Sequence, residues 1–312
     1  MDELGTLDRM PNGAIGAALA GLTSAFSVEV TPRDAYKVAD FAEHLRPRTA
    51  VYVTHLASLP FASVVETVRR LAAEGMRPVP HLAARAIRDE RQLDEMLAAL
   101  TGEGGVEEIL LIAGSVSRPA GNFDASIQVL RSGRLEARGI RRVGLACHPE
   151  GNKDIGEERL RRALAEKNAF AVSSGLDLYL MSQFCFLPGP ILGWEERTRS
   201  EGNRLPVRVG LPGLASPATL LKFGLSCGVG PSLAVLRKHP GNLLRLAASP
   251  TYYPDKTMLG VARATVNDPE CLVRGFHLFP FGAFAKTAAW ANSIRDGQFT
   301  LDTSTEQLGV TA

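Results

Sequence analysis

What the sequence lacks narrows its reading first. Four cysteines are scattered through 312 residues (Cys147, Cys185, Cys227 and Cys271) with no CxxC spacing. That pattern argues against a disulfide framework and a structural zinc site, and a cytoplasmic setting is expected. No run of lysine or arginine occurs and the net charge is only +2, so a nucleic-acid partner is not expected. No apolar stretch approaches the ~20 residues needed to cross a bilayer, so no membrane partner is expected either. The short apolar segment AIGAALAGL is preceded mostly by acidic residues (Asp2, Glu3 and Asp8 against Arg9), the wrong sign for a secretory signal. It reads instead as a helix capping the bottom of a barrel. Internal repeats and low-complexity linkers are also missing.

What is present is an alternation of short apolar runs with longer segments of helical period. The strands expected are Phe26–Val30, Ala50–His55, Arg77–Leu82, Ile109–Ala113, Arg142–Cys147, Asp177–Phe184, Val207–Leu211 and Arg274–Phe279. The clearest helix between them is FASVVETVRRLAAEG. Its Val64, Val68, Leu71 and Ala72 form one stripe, and Gly75 stops it. Eight strand–helix units predict a (β/α)8 TIM barrel, an α/β fold of ~250 residues plus insertions. The rival, an open doubly wound sheet, usually carries a glycine-rich first turn. None follows the first strand, and Gly228-Val-Gly230 comes late without a third glycine. One domain, about residues 24–296, is expected, with a short N-terminal extension and a loose tail after Phe299. Extra helices are expected between strands seven and eight, in GPSLAVLRKHPGNLLRLAAS and PDKTMLGVARATVNDPE.

Chemistry in such folds sits at the carboxyl ends of the strands. In FSVEVTP the alternation sets Ser27 and Glu29 on the face opposite Phe26, Val28 and Val30, so Glu29 points into the lumen near the top of strand one. A buried carboxylate must be paired or used. The structural partner to weigh against catalysis is Arg208. His55, His81 and His148 stand at other strand ends, as hydrogen-bonding groups or surfaces for a ligand. No HxH or HxxxH pair exists, so metal ligation is not favoured. Gln183 ends LYLMSQF opposite Phe184, where an amide can read a ring that offers both donors and acceptors, such as a pterin or flavin. Phe223, on the helix after Pro212-Gly213, could lie over a flat ligand or serve as helix core.

The order of these motifs resembles the 5,10-methylenetetrahydrofolate reductase family, from about Phe26 to about Ile294. FSVEVTP is similar to that family's FSFEFFPP, VYVTHL to SVTYG, and PVPHLAAR to APHLTC. ACHPEGN is similar to AAYPEGH, LMSQFCF to AITQFFF, VGLPGLASPATLLKF to the PGILP turn and its helix, and FHLFPF to FHFYTLN. No one piece is specific; seven in the right order are strong together. The resemblance implies a barrel that reduces 5,10-methylenetetrahydrofolate to 5-methyltetrahydrofolate, or runs the reverse reaction, in one-carbon metabolism. It places Glu29 on the catalytic acid, and Gln183, Phe223 and Phe279 on the folate side. Thr54, His55, His81, Gly114, Ser115, His148, Glu150, Asn152 and Lys153 fall on the cofactor side.

The family implies NAD(P)H and FAD. Here the fourth-strand LRGD is replaced by Ile112-Ala113-Gly114-Ser115, the tyrosine of AYPE by His148, and the histidine of that loop by Asn152. Either FAD binds through other contacts or NAD(P)H delivers hydride directly. Proton delivery to N10 calls for an acid kept protonated near neutral pH, and burial moves a glutamate that way. Two other readings stand beside this one: a non-redox folate-binding one-carbon module and a metal-dependent barrel hydrolase. Assembly into a homo-oligomer is compatible with any of them.

Overall fold

In a computed structural model, residues 12–56, 59–114, 116–152, 154–226, 251–302 and 305–310 are described. Eight parallel strands close into a barrel in chain order: β1 (Ser27–Val30), β2 (Ala50–Val53), β3 (Arg77–Ala83), β4 (Glu108–Ile112), β5 (Arg142–Cys147), β6 (Asp177–Phe184), β7 (Val207–Pro212) and β8 (Val273–Phe279). β8 returns to β1 through Ser27↔His277 and Val28↔Leu278. All eight strands expected from the sequence are present, with ends shifted by at most two residues.

The alternation along each strand divides two kinds of packing. Val28, Val30, Val51, Val53, Ile109, Leu111, Val209 and Leu211 join the shell between strands and helices. Ala50, Tyr52, Val79, Leu110, Tyr179 and Met181 form a separate cluster that fills the lumen. Gly144 leaves room for that filling, since a Cβ there would fall 2.6 Å from the Tyr179 hydroxyl. β3 carries Pro78 and Pro80, which have no N–H to give a ladder. Arg77 donates to Thr49 O on the β2 side, so the alternate prolines face β4. Pairing with β4 starts only at His81, so neither proline breaks a bond.

The surrounding helices include α1 (Asn12–Thr23), α2 (Pro32–Ala35), α3 (Phe61–Ala73), α4 (Glu90–Gly104), α5 (Ser126–Arg131), α6 (Arg134–Ala137), α7 (Glu157–Ser173), α8 (Pro188–Ser200), α9 (Pro217–Ser226), α10 (Asp255–Asn267) and α11 (Phe284–Arg295). α1 buries Ile15, Leu19 and Leu22 and packs against α10, α11 and β8. Of the two insertions expected before β8, the second is α10; the first, residues 230–249, lies outside the described residues. Among the described residues, no helix is long and apolar enough to cross a membrane.

The tail after Phe299 is not loose. It forms a hairpin of β9 (Phe299–Asp302) and β10 (Gln307–Val310) that docks on α10. Leu308 is buried and its N–H donates to Asp255 Oδ2 at 3.0 Å. Glu306 pairs with Arg263 at 2.8 Å and with Lys256 at 3.3 Å. The anchoring pairs come from two segments about fifty residues apart, so no local sequence pattern announces them.

Candidate active site

The lumen has two polar ends. At the floor, Glu108 on β4 is buried, pairs with Arg77 and lies 3.6 Å from Arg142 Nε. Tyr179 donates to its Oε1 at 2.9 Å, and the Tyr52 and Tyr179 hydroxyls hydrogen-bond each other. Arg208, the expected structural partner of Glu29, belongs to this end. Its Nη1 donates to Ala25 O at 2.9 Å. The register explains why: Arg208 is level with Gly275, two residues below His277, so it cannot meet a side chain at the mouth.

At the carboxyl ends of the strands, Glu29 is flanked by two imidazoles. Its Oε2 lies 3.3 Å from His81 Nε2 and 3.6 Å from His277 Nε2. Neither nitrogen is aligned for a hydrogen bond, and both are buried. The side chains are exposed by 17%, 7% and 0% for Glu29, His81 and His277, so Glu29 is the member that reaches the mouth. His277 Nδ1 is 2.9 Å from Ser27 Oγ, and its ring meets Tyr52 edge-on at 4.6 Å and Phe279 at 4.7 Å. Burial pushes the Glu29 carboxyl upward, but the charges and hydrogen-bonding capacity of His81 and His277 outweigh it. The net result holds the group well below the ordinary carboxylate range. That corrects the expectation that burial alone keeps Glu29 protonated. Burial also lowers His277, against the pull of Glu29.

The other expected residues are placed as follows. Thr54 and His55 follow β2; Thr54 Oγ1 and His55 Nδ1 are buried without hydrogen-bond partners. His55 meets Phe61 edge-on at 5.3 Å and is shifted down by burial and by His81. Gly114, with φ +95°, turns the chain after β4 where a Cβ would press on Ala83 at 3.1 Å. His148, after β5, is lowered to about 4 by burial and then by Lys167, so its electrostatic neighbour is a helix lysine rather than Glu29. Glu150 is partly buried and close enough to raise the Cys185 thiol. Asn152 turns its Oδ1 back to Asp154 N at 2.9 Å. Ser115 and Lys153 lie outside the described residues.

Gln183 ends β6 beside an irregularity between Met181 and Phe184, and its Oε1 accepts from Phe184 N at 3.1 Å. One acceptor position is thus used by its own strand, while the amide NH2 remains for a ligand. Above it stands an aromatic wall. Phe184 packs on Phe186 and Phe279, with Tyr252 and Phe281 against them. Phe223 is exposed and stacks on Phe281 at 4.6 Å and 26°, not in helix core. Phe281 has φ +49°, a costly left-handed backbone for a phenylalanine, and presents its ring to Phe223 and Phe184.

The site thus unites Glu29, His81 and Phe279 with Ser27, His277, Phe281 and Tyr252, which sequence reasoning missed. The signal for His277 was available: it lies two residues before Phe279 on the same face of β8. Phe281 and Tyr252 lie in connections, where no alternation applies. Among the described residues, no group of three His, Cys, Asp or Glu side chains could hold a metal ion.

No known family's sequence profile matches the chain. Among solved structures, the chain is similar to a GH18 chitinase from Pseudoalteromonas aurantia, at 14% identity and a TM-score of 0.50. The match covers 87% of this chain and 99% of that one. At that identity the likeness is one of fold, and it agrees with the closed barrel of eight parallel strands.

Proposed function

We propose that the chain is a methylenetetrahydrofolate reductase that uses NAD(P)H, and that it catalyses the reduction to 5-methyltetrahydrofolate or its reverse. The observation that carries this reading is the mouth of the lumen: one acid on β1, flanked by two imidazoles, one of which packs on Phe279 and so on the aromatic cluster. Glu29, which reaches the mouth, passes to N10 the proton that it shares with its imidazole neighbours. Gln183 contributes its amide donor to the pterin edge, and Phe223, exposed on its stack with Phe281, and Phe279 flank the flat parts of the substrate. Opening the methylene bridge to an N5 iminium separates charge, and the Glu29 carboxylate left behind stabilises the cation.

The contact set for a flavin is different from the family's. Ala113 has no guanidinium to offer, and Asn152 spends its Oδ1 within its own loop. Arg85, bonded to the loop after β4, is committed to Val116 O at 2.9 Å, Ser117 O at 2.7 Å and the Asp124 carboxylate. These residues do not fit an isoalloxazine in the family's manner, and no step here runs through one. Thr54 Oγ1 and His55 Nδ1, buried and unpartnered, are the groups we assign to the dinucleotide. A reduced nicotinamide, when bound, supplies the hydride.

The test is direct. Protein purified without added cofactor is expected to be colourless and to oxidise NADH or NADPH when methylenetetrahydrofolate is added. Absence of folate-dependent oxidation, with or without added FAD, contradicts the function. Yellow protein whose activity requires FAD would contradict only the direct transfer of hydride.

A further inference from the structure

We propose that Ser27 and His277 are positioning residues for the acid, and that the proton delivered to substrate is held between Glu29 and His81. The proposal rests on the reductase reading for its substrate but not for its geometry. A carboxylate this deep in a lumen is costly unless a positive group sits beside it. The groups facing it from each packed element can be named. β1 contributes Ser27, β2 contributes Tyr52 and then His55, β3 contributes His81, and β8 contributes His277. From β7, Arg208 acts on His277 from below, bonded to Ala25 O; Arg77 and Arg142 stay at the floor around Glu108.

Among the described residues, only the two imidazoles pair with Glu29 Oε2. His277 is fully enclosed, with an aromatic ring on either side, so it is the poorer place for a charge. His81 retains some exposure and is the closer ring, at 3.3 Å. The proton therefore belongs to the Glu29–His81 pair, and His277 stays neutral. Ser27 fixes that neutral ring. Donating its hydroxyl to Nδ1 leaves the ring hydrogen on Nε2, turned toward the carboxylate. His277 touches no substrate; it acts by holding Glu29.

The step balances. The proton leaves the Glu29–His81 pair for N10 as the N10–methylene bond breaks, and the bonding electrons stay on N10. The methylene carbon, now part of an N5 iminium, takes two electrons and a hydrogen as hydride from the reduced nicotinamide. One proton returns to the pair from water in each turnover.

Nitrogen-15 NMR of histidine-labelled full-length protein tests the arrangement without any substrate. Wild type should show His277 as one neutral tautomer protonated on Nε2. The His81 Nε2 resonance should change in Glu29→Gln, since that nitrogen lies 3.3 Å from the carboxylate. Ser27→Ala should mix the His277 tautomers. It should also lower kcat by about tenfold, with the KM for the dinucleotide unchanged, since misplacing an acid costs rate rather than remote binding. A His81 Nε2 resonance unchanged by Glu29→Gln, or a wild-type His277 protonated on Nδ1, overturns the proposal. Spectra as expected from a protein that does not turn over methylenetetrahydrofolate would contradict the reductase reading and leave this arrangement standing.

Discussion

Two glutamates stand in one lumen, and they are held in opposite ways. Glu108, at the floor, is buried beneath Arg77, Arg142 and the Tyr179 hydroxyl. Its neighbours keep fixed charges across the working pH range, because arginine does not titrate there. Glu29, at the mouth, is paired among the described residues with imidazoles alone. Imidazole is the side-chain type that can exchange a proton near neutrality, and guanidinium is not. The floor therefore fixes a charge in place, whereas the mouth can store and release a proton. Burial of a carboxylate does not by itself identify an acid that does chemistry; the titratability of its partners separates the two cases.

The largest effect should come from the mouth. Glu29→Gln is nearly isosteric but cannot donate a proton, and its turnover should fall by about 10²–10⁴-fold. Because the ionised Glu29 also contributes stability at pH 7, this turnover is normalised to the folded fraction from a denaturant titration. Glu108→Gln should cost stability without costing rate. Removing one member of a buried ion pair destabilises by about 3 kcal/mol, at the low end because Arg77 and Arg142 remain partly solvated. The molecules that stay folded should turn over at the wild-type rate. Equal losses of activity in both variants, at equal stability, would erase the distinction between the two ends.

A smaller effect sharpens the picture at the mouth. Gln183→Ala should weaken folate by about 1–3 kcal/mol, as expected when a ligand's polar edge loses its partner. Phe223→Ala should cost about 0.5–1.5 kcal/mol of stacking, with no change in the pH profile. Titration calorimetry of each variant with folate and with NAD(P)H checks both. Equal weakening of the two ligands would assign these residues to structure.

Asp255, on α10, offers a third kind of carboxylate, with no cation paired to it among the described residues. Burial raises it to about 6 although Leu308 N donates to it. A carboxyl raised above its unfolded value near 3.8 contributes stability below about pH 4, which is lost as pH rises through about 6. Asp255→Asn should therefore be more stable than wild type above pH 6, by about 1–3 kcal/mol, with the difference shrinking toward pH 4. Glu29 has the opposite sign: held below the ordinary range, it contributes stability above about pH 4.3 that is lost on acidification. Urea titrations across this range distinguish the two.

The barrel was legible because its strands alternate cleanly. Val28 and Val30 turn outward and Ser27 and Glu29 inward, and the structure keeps that division. Glu29 was legible for the same reason. Its partner was not, because register across the closed barrel decides which side chain is level with which. Arg208 and His277 both face inward near the β7–β8 edge, yet Arg208 is level with Gly275, two residues below His277, and it is His277 that comes within 3.6 Å of Glu29. The direction of the Glu29 shift depended on that partner and so was misread with it. Phe281 and the docked tail were hidden for a related reason. One depends on a left-handed turn after β8, the other on contacts with a helix far away in sequence.

The most direct test of the account is folate-dependent NAD(P)H oxidation by wild type, Glu29→Gln and Glu108→Gln, assayed together without added flavin and normalised to folded protein. The account predicts that wild type and Glu108→Gln turn over at the same rate, and that Glu29→Gln retains about one part in a hundred or less. Activity in Glu29→Gln comparable to wild type would show that the acid at the mouth is not the one that works.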